Sequence, residues 1–401
     1  MLYTREPVIQ NKLAKIADRL MADVSDEIPS LLTGRTGKAL FLLYYSTYTM
    51  KETYFDMAMK ILEEDFEMID RGFSIHKLGS GLAGIFWLVD HLIEQGYIDA
   101  DVRESMQEFD QYLAEKMLEE MEQGNFDFLY GSLGVAFYLL KRYGANPDLK
   151  NSLEKLIELL QQCAIEVDSD TVKWDTFQPD TLESIPNICL SHGMSGIAIM
   201  LSKFVKADIA RGMTIPLLRR TINFILSQEI DPGKYVSYFP SRSLESRTPV
   251  LTSRMAWCYG DLGVAMALYH AGNAANVDQW RRKAIEVLTY SCSRKDLHIN
   301  SIKDAGLCHG AAGVAHIFHR LYLDTGIPSF QEASAYWYEQ TLGFDSISND
   351  LTGFAPYFNK EVEDTESFFG CFLMGISGIG LSLLHAVSDI PPAWDECLLL
   401  S

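Results

Sequence analysis

Cysteine and histidine are scarce in this chain, seven and nine among 401 residues. The cysteines, at 163, 189, 258, 292, 308, 371 and 397, are odd in number and widely spread, which excludes the dense, even disulfide framework of a small secreted domain. In a reducing compartment, burial, metal binding or nucleophilic chemistry remain. No uninterrupted apolar run approaches the roughly 20 residues that a membrane span needs. The start, Met1-Leu2-Tyr3-Thr4-Arg5-Glu6-Pro7, leads into no signal-peptide core. No dense Lys/Arg block stands out, and 34 basic against 54 acidic residues give a formal charge of -20, which argues against a nucleic-acid groove. No linker or low-complexity segment splits the chain. The expectation is a soluble, cytoplasmic protein with one domain over residues 1–401.

What the chain does have is apolar material, 48% hydrophobic against 22% charged, enough for a large core. It also has a repeated phrase: a glycine pair three apart that runs into a segment apolar on nearly every side. The first glycines are Gly34, Gly81, Gly131, Gly193, Gly260, Gly310 and Gly375, spaced by 47, 50, 62, 67, 50 and 65 residues. Two helices and two loops fit each spacing. The segments between, such as Leu153 to Leu160 and Trp280 to Leu288, are amphipathic, as are the first twenty-odd residues with Ile9, Leu13, Ile16, Ala17 and Leu20 at helical spacing.

An all-round apolar helix must be covered on both sides and an amphipathic one on one side, so their alternation implies an inner and an outer layer. Seven such pairs predict an all-α fold, an α/α toroid of seven inner and seven outer helices. An open superhelix of helical hairpins shows the same periodicity. The longer spacings contain polar and aromatic stretches, 174–186 and 231–249, expected as rim loops, with strand-like alternation over Tyr235 to Phe239.

Because the units repeat, residues just before each first glycine should occupy equivalent places. In unit six these are Cys308 and His309; in unit five Cys258 stands two before Gly260; in unit four His192 stands one before Gly193; in unit three Asp127 stands four before Gly131. Two thiolates and an imidazole are preferred zinc ligands, and three protein ligands leave a fourth tetrahedral position for chemistry. Taken singly, each cysteine is more simply a buried small hydrophobe and His309 a core histidine; at matching repeat positions the metal reading prevails. His192 is the best candidate for acid/base work. The remaining histidines, at 76, 270, 298, 316, 319 and 385, lie away from these positions and are expected on the surface or in packing.

Ser191-His192-Gly193, Trp257-Cys258-Tyr259-Gly260 and Cys308-His309-Gly310, with the seven glycine pairs, resemble the lanthionine synthetase C family, the cyclases of lanthipeptide biosynthesis. The resemblance covers essentially the whole chain. One departure is Leu262, where members often carry proline; it touches helix entry and leaves the ligand positions intact. The resemblance implies an α/α toroid with zinc at one mouth, held by Cys258, Cys308 and His309, and Michael-type addition of a peptide cysteine thiol to dehydroalanine or dehydrobutyrine. It also implies that Asp127 assists His192 and that Arg254 steadies the enolate or the peptide. The expected partners are a dehydrated precursor peptide with its leader, a separate dehydratase and a transporter. Two other readings are open: a glutathione-adding relative acting on dehydroamino acids, and a peptide-binding scaffold without turnover.

Overall fold

The computed structural model describes residues 6–22, 28–178, 180–344, 354–357 and 368–401. The first five residues, part of the stretch in which no signal-peptide core was read, lie outside these. Each glycine pair opens a helix: Thr36–Thr49, Leu82–Glu94, Ser132–Arg142, Met194–Lys206, Asp261–Ala274, Ala311–Thr325 and Ile376–Val387. Their side chains are buried almost all round, as their composition requires. Most of the helices that follow them, Glu52–Asp70, Gln107–Glu122, Lys150–Gln162 and Asp278–Ser291 among them, bury only one stripe. The expected two-layer division is therefore present at the level of single helices.

The chain forms two compact units, one of residues 1–75, 79–88 and 295–401, the other of residues 76–78 and 89–294. Within the first, the amide of Cys308 donates to the carbonyl of Leu373 at 2.9 Å, Leu373 to Leu32 at 2.9 Å, and Leu32 to Gly79 at 3.2 Å. All four residues stand two before the first glycine, in repeats six, seven, one and two. Repeat seven thus hands its hydrogen bond to repeat one. The helix Glu6–Ala22 packs against Ile376–Val387, so the chain's start supplies the outer helix of the seventh hairpin. Within the first unit, the last repeat therefore lies against the first.

The second glycine of each pair explains how repeats come this close. A Cβ on Gly37 would stand 2.5 Å from the Leu31 carbonyl of its own repeat and 2.6 Å from Phe372 Cβ of repeat seven. At Gly378 it would stand 1.9 Å from the Phe372 carbonyl and 2.6 Å from Leu307 of repeat six. In the second unit, Gly134 receives Leu78 and Gly263 receives Leu190 in the same way. The residue three before one repeat's first glycine is seated on the second glycine of the next, where no side chain fits.

Also in the second unit, Arg142 is buried against the carboxylates of Asp110 and Asp90, with the Tyr138 hydroxyl donating to Asp110 at 2.5 Å, so a charge taken out of water is fully paired. Asp261, one residue after Gly260, meets Arg294 at 2.9 Å and accepts from the amides of Tyr238 and Phe239 at 3.0 Å each. That bond set shows why the strand-like alternation over Tyr235 to Phe239 in this expected rim loop does not become a strand. Pro232–Tyr235 is a helical turn, Val236 is left-handed with φ 61°, and the next amides are spent on a carboxylate rather than on a partner strand. Strands occur instead as two antiparallel hairpins, Ile165–Asp168 with Thr171–Lys173 and Asp175–Gln178 with Glu183–Pro186.

Three of the unassigned histidines pack together in the first unit. His316 Nε2 lies 3.0 Å from Asp395, its Nδ1 lies 3.2 Å from His385 Nδ1, and the rings of His319 and His385 stack at 4.3 Å. Burial keeps His319 neutral, its pKa lowered to about 4. These are packing histidines, as expected.

The glycine contacts generate a stability prediction. Gly378→Val should lower stability by about 3 kcal/mol or more, since overpacking costs about 1–3 kcal/mol and here the obstacle is backbone. Gly212→Ala, at a helical glycine with open space around it, should change stability by less than about 1 kcal/mol. Urea denaturation of the two variants checks both.

Candidate metal centre

In repeats three, four and six the residues before the first glycine are held in a short closed loop. The amide just after that glycine returns to the carbonyl six residues before it: Ser132 to Asn125 at 3.0 Å, Met194 to Asn187 at 2.7 Å and Ala311 to Asp304 at 3.0 Å. In these three repeats the residue at the start of the loop also turns its side-chain oxygen onto the amide two residues on. Asn125 takes Asp127, Asn187 takes Cys189, and Asp304 takes Gly306. Loop ends tied twice leave the intervening side chains little freedom.

In repeat three this loop presents Asp127. Its Oδ1 accepts from the amides of Leu129 and Tyr130 at 2.8 and 2.7 Å, and its Oδ2 lies 2.6 Å from Nδ1 of His192. The carboxylate is oriented by backbone, and it in turn fixes the proton of a neutral His192 on Nδ1, leaving Nε2 as the reactive nitrogen. Burial, the largest influence, disfavours the charged imidazole. The hydrogen bond to Asp127, the charge of that carboxylate and negative charge on the Cys258 sulfur outweigh burial, and the pKa of His192 stands above its ordinary value. Tyr130 stacks beside the ring at 6.1 Å.

Cys258 is buried, and its carbonyl accepts from the amides of Leu190 and Ser191 at 3.0 and 3.4 Å, which ties repeat five to repeat four. One ligand atom from each of Cys258, Cys308 and His309 lies within 4.8 Å of the others. Among the described residues no other group of three or more His, Cys, Asp or Glu meets this criterion. Two sulfurs and an imidazole nitrogen at such separations suit a thiophilic divalent ion, zinc above all, and suit magnesium or calcium poorly. The donor set therefore fits the metal that the sequence implied.

Arg254 is placed six before Gly260, the position that Asn187 and Asp304 hold in repeats four and six. Its carbonyl lies beneath Gly260, whose φ of 98° requires glycine, and its half-buried guanidinium makes no side-chain bond among the described residues. Three neighbours were not singled out from the sequence. Asp304 Oδ2 stands 3.7 Å from His309 Nε2. Cys189 receives the amide of His192 at 3.3 Å, and burial pushes its thiol up to about 12, which favours the neutral, packed form. Asn187 donates to the Tyr259 hydroxyl at 3.3 Å, while burial raises the phenol above its ordinary value. The one sequence signal for Asn187 and Asp304 is their shared offset from the glycine.

The chain matches the family described as "Lanthionine synthetase C-like protein" over residues 25–399. It is 25% identical over 347 residues to the nisin biosynthesis protein NisC of Lactococcus lactis subsp. lactis, covering 80% of this chain and 77% of that protein. Among solved structures it is similar to a nisin cyclase, with a TM-score of 0.72 and 20% identity over 99% of this chain and 98% of that one. At that identity the likeness concerns the fold, the helical toroid of the family, and no helix among the described residues is long and apolar enough to cross a membrane. With its seven glycine-led helices and its Cys258, Cys308 and His309 cluster, this chain belongs to the lanthionine synthetase C-like family.

Proposed function

We propose that this protein is a zinc-dependent lanthipeptide cyclase, a single domain of seven repeats that closes thioether rings in a dehydrated precursor peptide. The observation that carries the reading is the convergence of Cys258, Cys308 and His309 within 4.8 Å in a member of this family. Likeness to proteins named for nisin biosynthesis and nisin cyclisation supports the substrate class. A dehydratase that makes the dehydroamino acids, and a transporter for the finished peptide, are the partners this role requires; cytoplasmic action goes with them.

A free cysteine thiol has a pKa of about 8.5 and is mostly protonated at neutral pH. Zinc bound by the three side chains would supply the positive charge that favours the thiolate of a substrate cysteine. Addition of sulfur to the β-carbon forms the C–S bond and moves an electron pair onto the α-carbon and its carbonyl; a proton delivered to the α-carbon completes the ring, so the thiol's proton is conserved overall. His192 is suited to that delivery from Nε2, since Asp127 holds its other nitrogen at 2.6 Å and stabilises the charged ring. Arg254 supplies a half-buried cation for the developing enolate or for the peptide.

Purified wild-type protein should carry near-stoichiometric zinc, lost in Cys258→Ala. With a dehydrated precursor, alkylation and mass measurement should show free thiols disappearing for wild type and persisting for Cys308→Ala. Thiols that persist with wild type across several precursors would rule out the cyclase; a glutathione adduct on the dehydroamino acids would assign it to the intermolecular reaction instead.

The acid/base pair gives a separate prediction. Asp127 raises the His192 pKa, so Asp127→Asn should lower it, and the protonated ring should be lost at lower pH than in wild type. NMR titration of the His192 Cε1 resonance reads this directly. His192→Asn should slow cyclisation about 100-fold or more, the range of general acid catalysis. An unmoved midpoint in Asp127→Asn would deny Asp127 its role.

A further inference from the structure

The seven pre-glycine loops provide an internal control for Asp304. The residues six before each first glycine are Ile28, Ile75, Asn125, Asn187, Arg254, Asp304 and Phe369. In repeats three, four and six this residue accepts the amide two positions on, and a neutral asparagine does so in two of the three. The turn therefore requires an oxygen and not a charge. Only repeat six carries a carboxylate there, and only repeat six carries the histidine of the metal cluster.

The rest of the carboxylate is directed accordingly. Asp304 is almost wholly buried, at 4% exposure, with Oδ1 committed to Gly306 at 3.0 Å and wedged against Gly310, where an added Cβ would stand 2.3 Å from it. Oδ2 accepts from the Tyr357 amide at 2.9 Å and faces His309 Nε2 at 3.7 Å. That separation is an ion-pair distance, longer than a hydrogen bond, so the influence on the ring is one of charge. A proton on Nε2 is favoured by the carboxylate, while a lone pair there would be repelled by it.

We infer that Asp304 is the positioning residue of the metal centre: its carboxylate keeps the His309 proton on Nε2, so that Nδ1 is the nitrogen offered to the metal. This rests on the zinc reading above. Carboxylates behind metal-bound histidines commonly have this effect, and removing them weakens metal affinity about 10- to 100-fold. The same residue receives the Tyr357 amide, and Lys303 donates to the Tyr357 hydroxyl at 3.1 Å and covers its ring at 4.4 Å. The segment 354–357 is thereby fastened beside the metal ligands through the carboxylate that orients one of them.

Asp304→Asn retains the turn and removes the charge. Competition with a chromophoric chelator should show zinc bound about 10- to 100-fold more weakly by Asp304→Asn than by wild type, with the urea midpoints of the two metal-free proteins nearly equal. In the zinc-loaded wild type, two-bond ¹H–¹⁵N correlation of the histidine ring should show His309 protonated on Nε2 alone. Wild-type affinity in a folded Asp304→Asn overturns the inference, as does a His309 proton on Nδ1 in wild type, a measurement that needs no variant. Wild-type protein that holds no zinc removes the metal reading and this inference together; zinc held equally by both proteins removes only the role of Asp304.

Discussion

The structure depends on one steric condition, that nothing larger than hydrogen stands at the second glycine of each pair. At six of the seven, Gly37, Gly134, Gly196, Gly263, Gly313 and Gly378, the carbonyl three residues before the first glycine lies less than van der Waals distance from where a Cβ would be, and in most of these the preceding repeat's side chain fills the remaining space. Backbones brought this near can exchange hydrogen bonds directly, as Cys308, Leu373, Leu32 and Gly79 do in succession. Burial of the apolar helices supplies the driving force, and the missing side chains set the distance at which it is satisfied.

The site follows from the same condition. The residues of interest all lie in the short loop before the first glycine, and in repeats three, four and six the ends of that loop are tied to each other across the glycine. A polar side chain there costs little, because the loop already has its backbone groups paired. Asp127 shows the arrangement most fully: two amides hold one of its oxygens, and the other holds His192. The reactive groups are displayed by loops whose shape owes almost nothing to them, so one repeat can carry a cysteine where another carries leucine or glycine.

Much of this was legible in the sequence because it is periodic. Seven glycine pairs, each before a segment apolar all round, carried the inner helices, and their offsets from the first glycines singled out Cys258, Cys308 and His309, whose ligand atoms lie near one another, and His192 and Asp127, which meet at 2.6 Å. What was not legible lacks a period. The hairpins within 165–186 fall where the spacing lengthens, and Tyr235 to Phe239 alternates like a strand yet gives its amides to Asp261. Arg254 could be named, but its side chain has no partner among the described residues to define its part. Asp304 was missed because an aspartate in a loop has no apolar pattern; only comparison of the loops with one another sets its charge apart from the asparagines that do the same turn.

The helix Glu6–Ala22 completes the hairpin of Ile376–Val387, although some 350 residues lie between them in the chain. In a linear array of repeats each hairpin needs only its neighbour, and folding can start anywhere and spread. Here one hairpin is shared between two helices from distant parts of the chain, and the apolar stripe of Glu6–Ala22 is covered only once Ile376–Val387 is in place. Contacts of such sequence separation form late and slowly. Until they form, Ile9, Leu13 and Ile16 present an uncovered apolar stripe, a surface open to aggregation that the folded protein does not show.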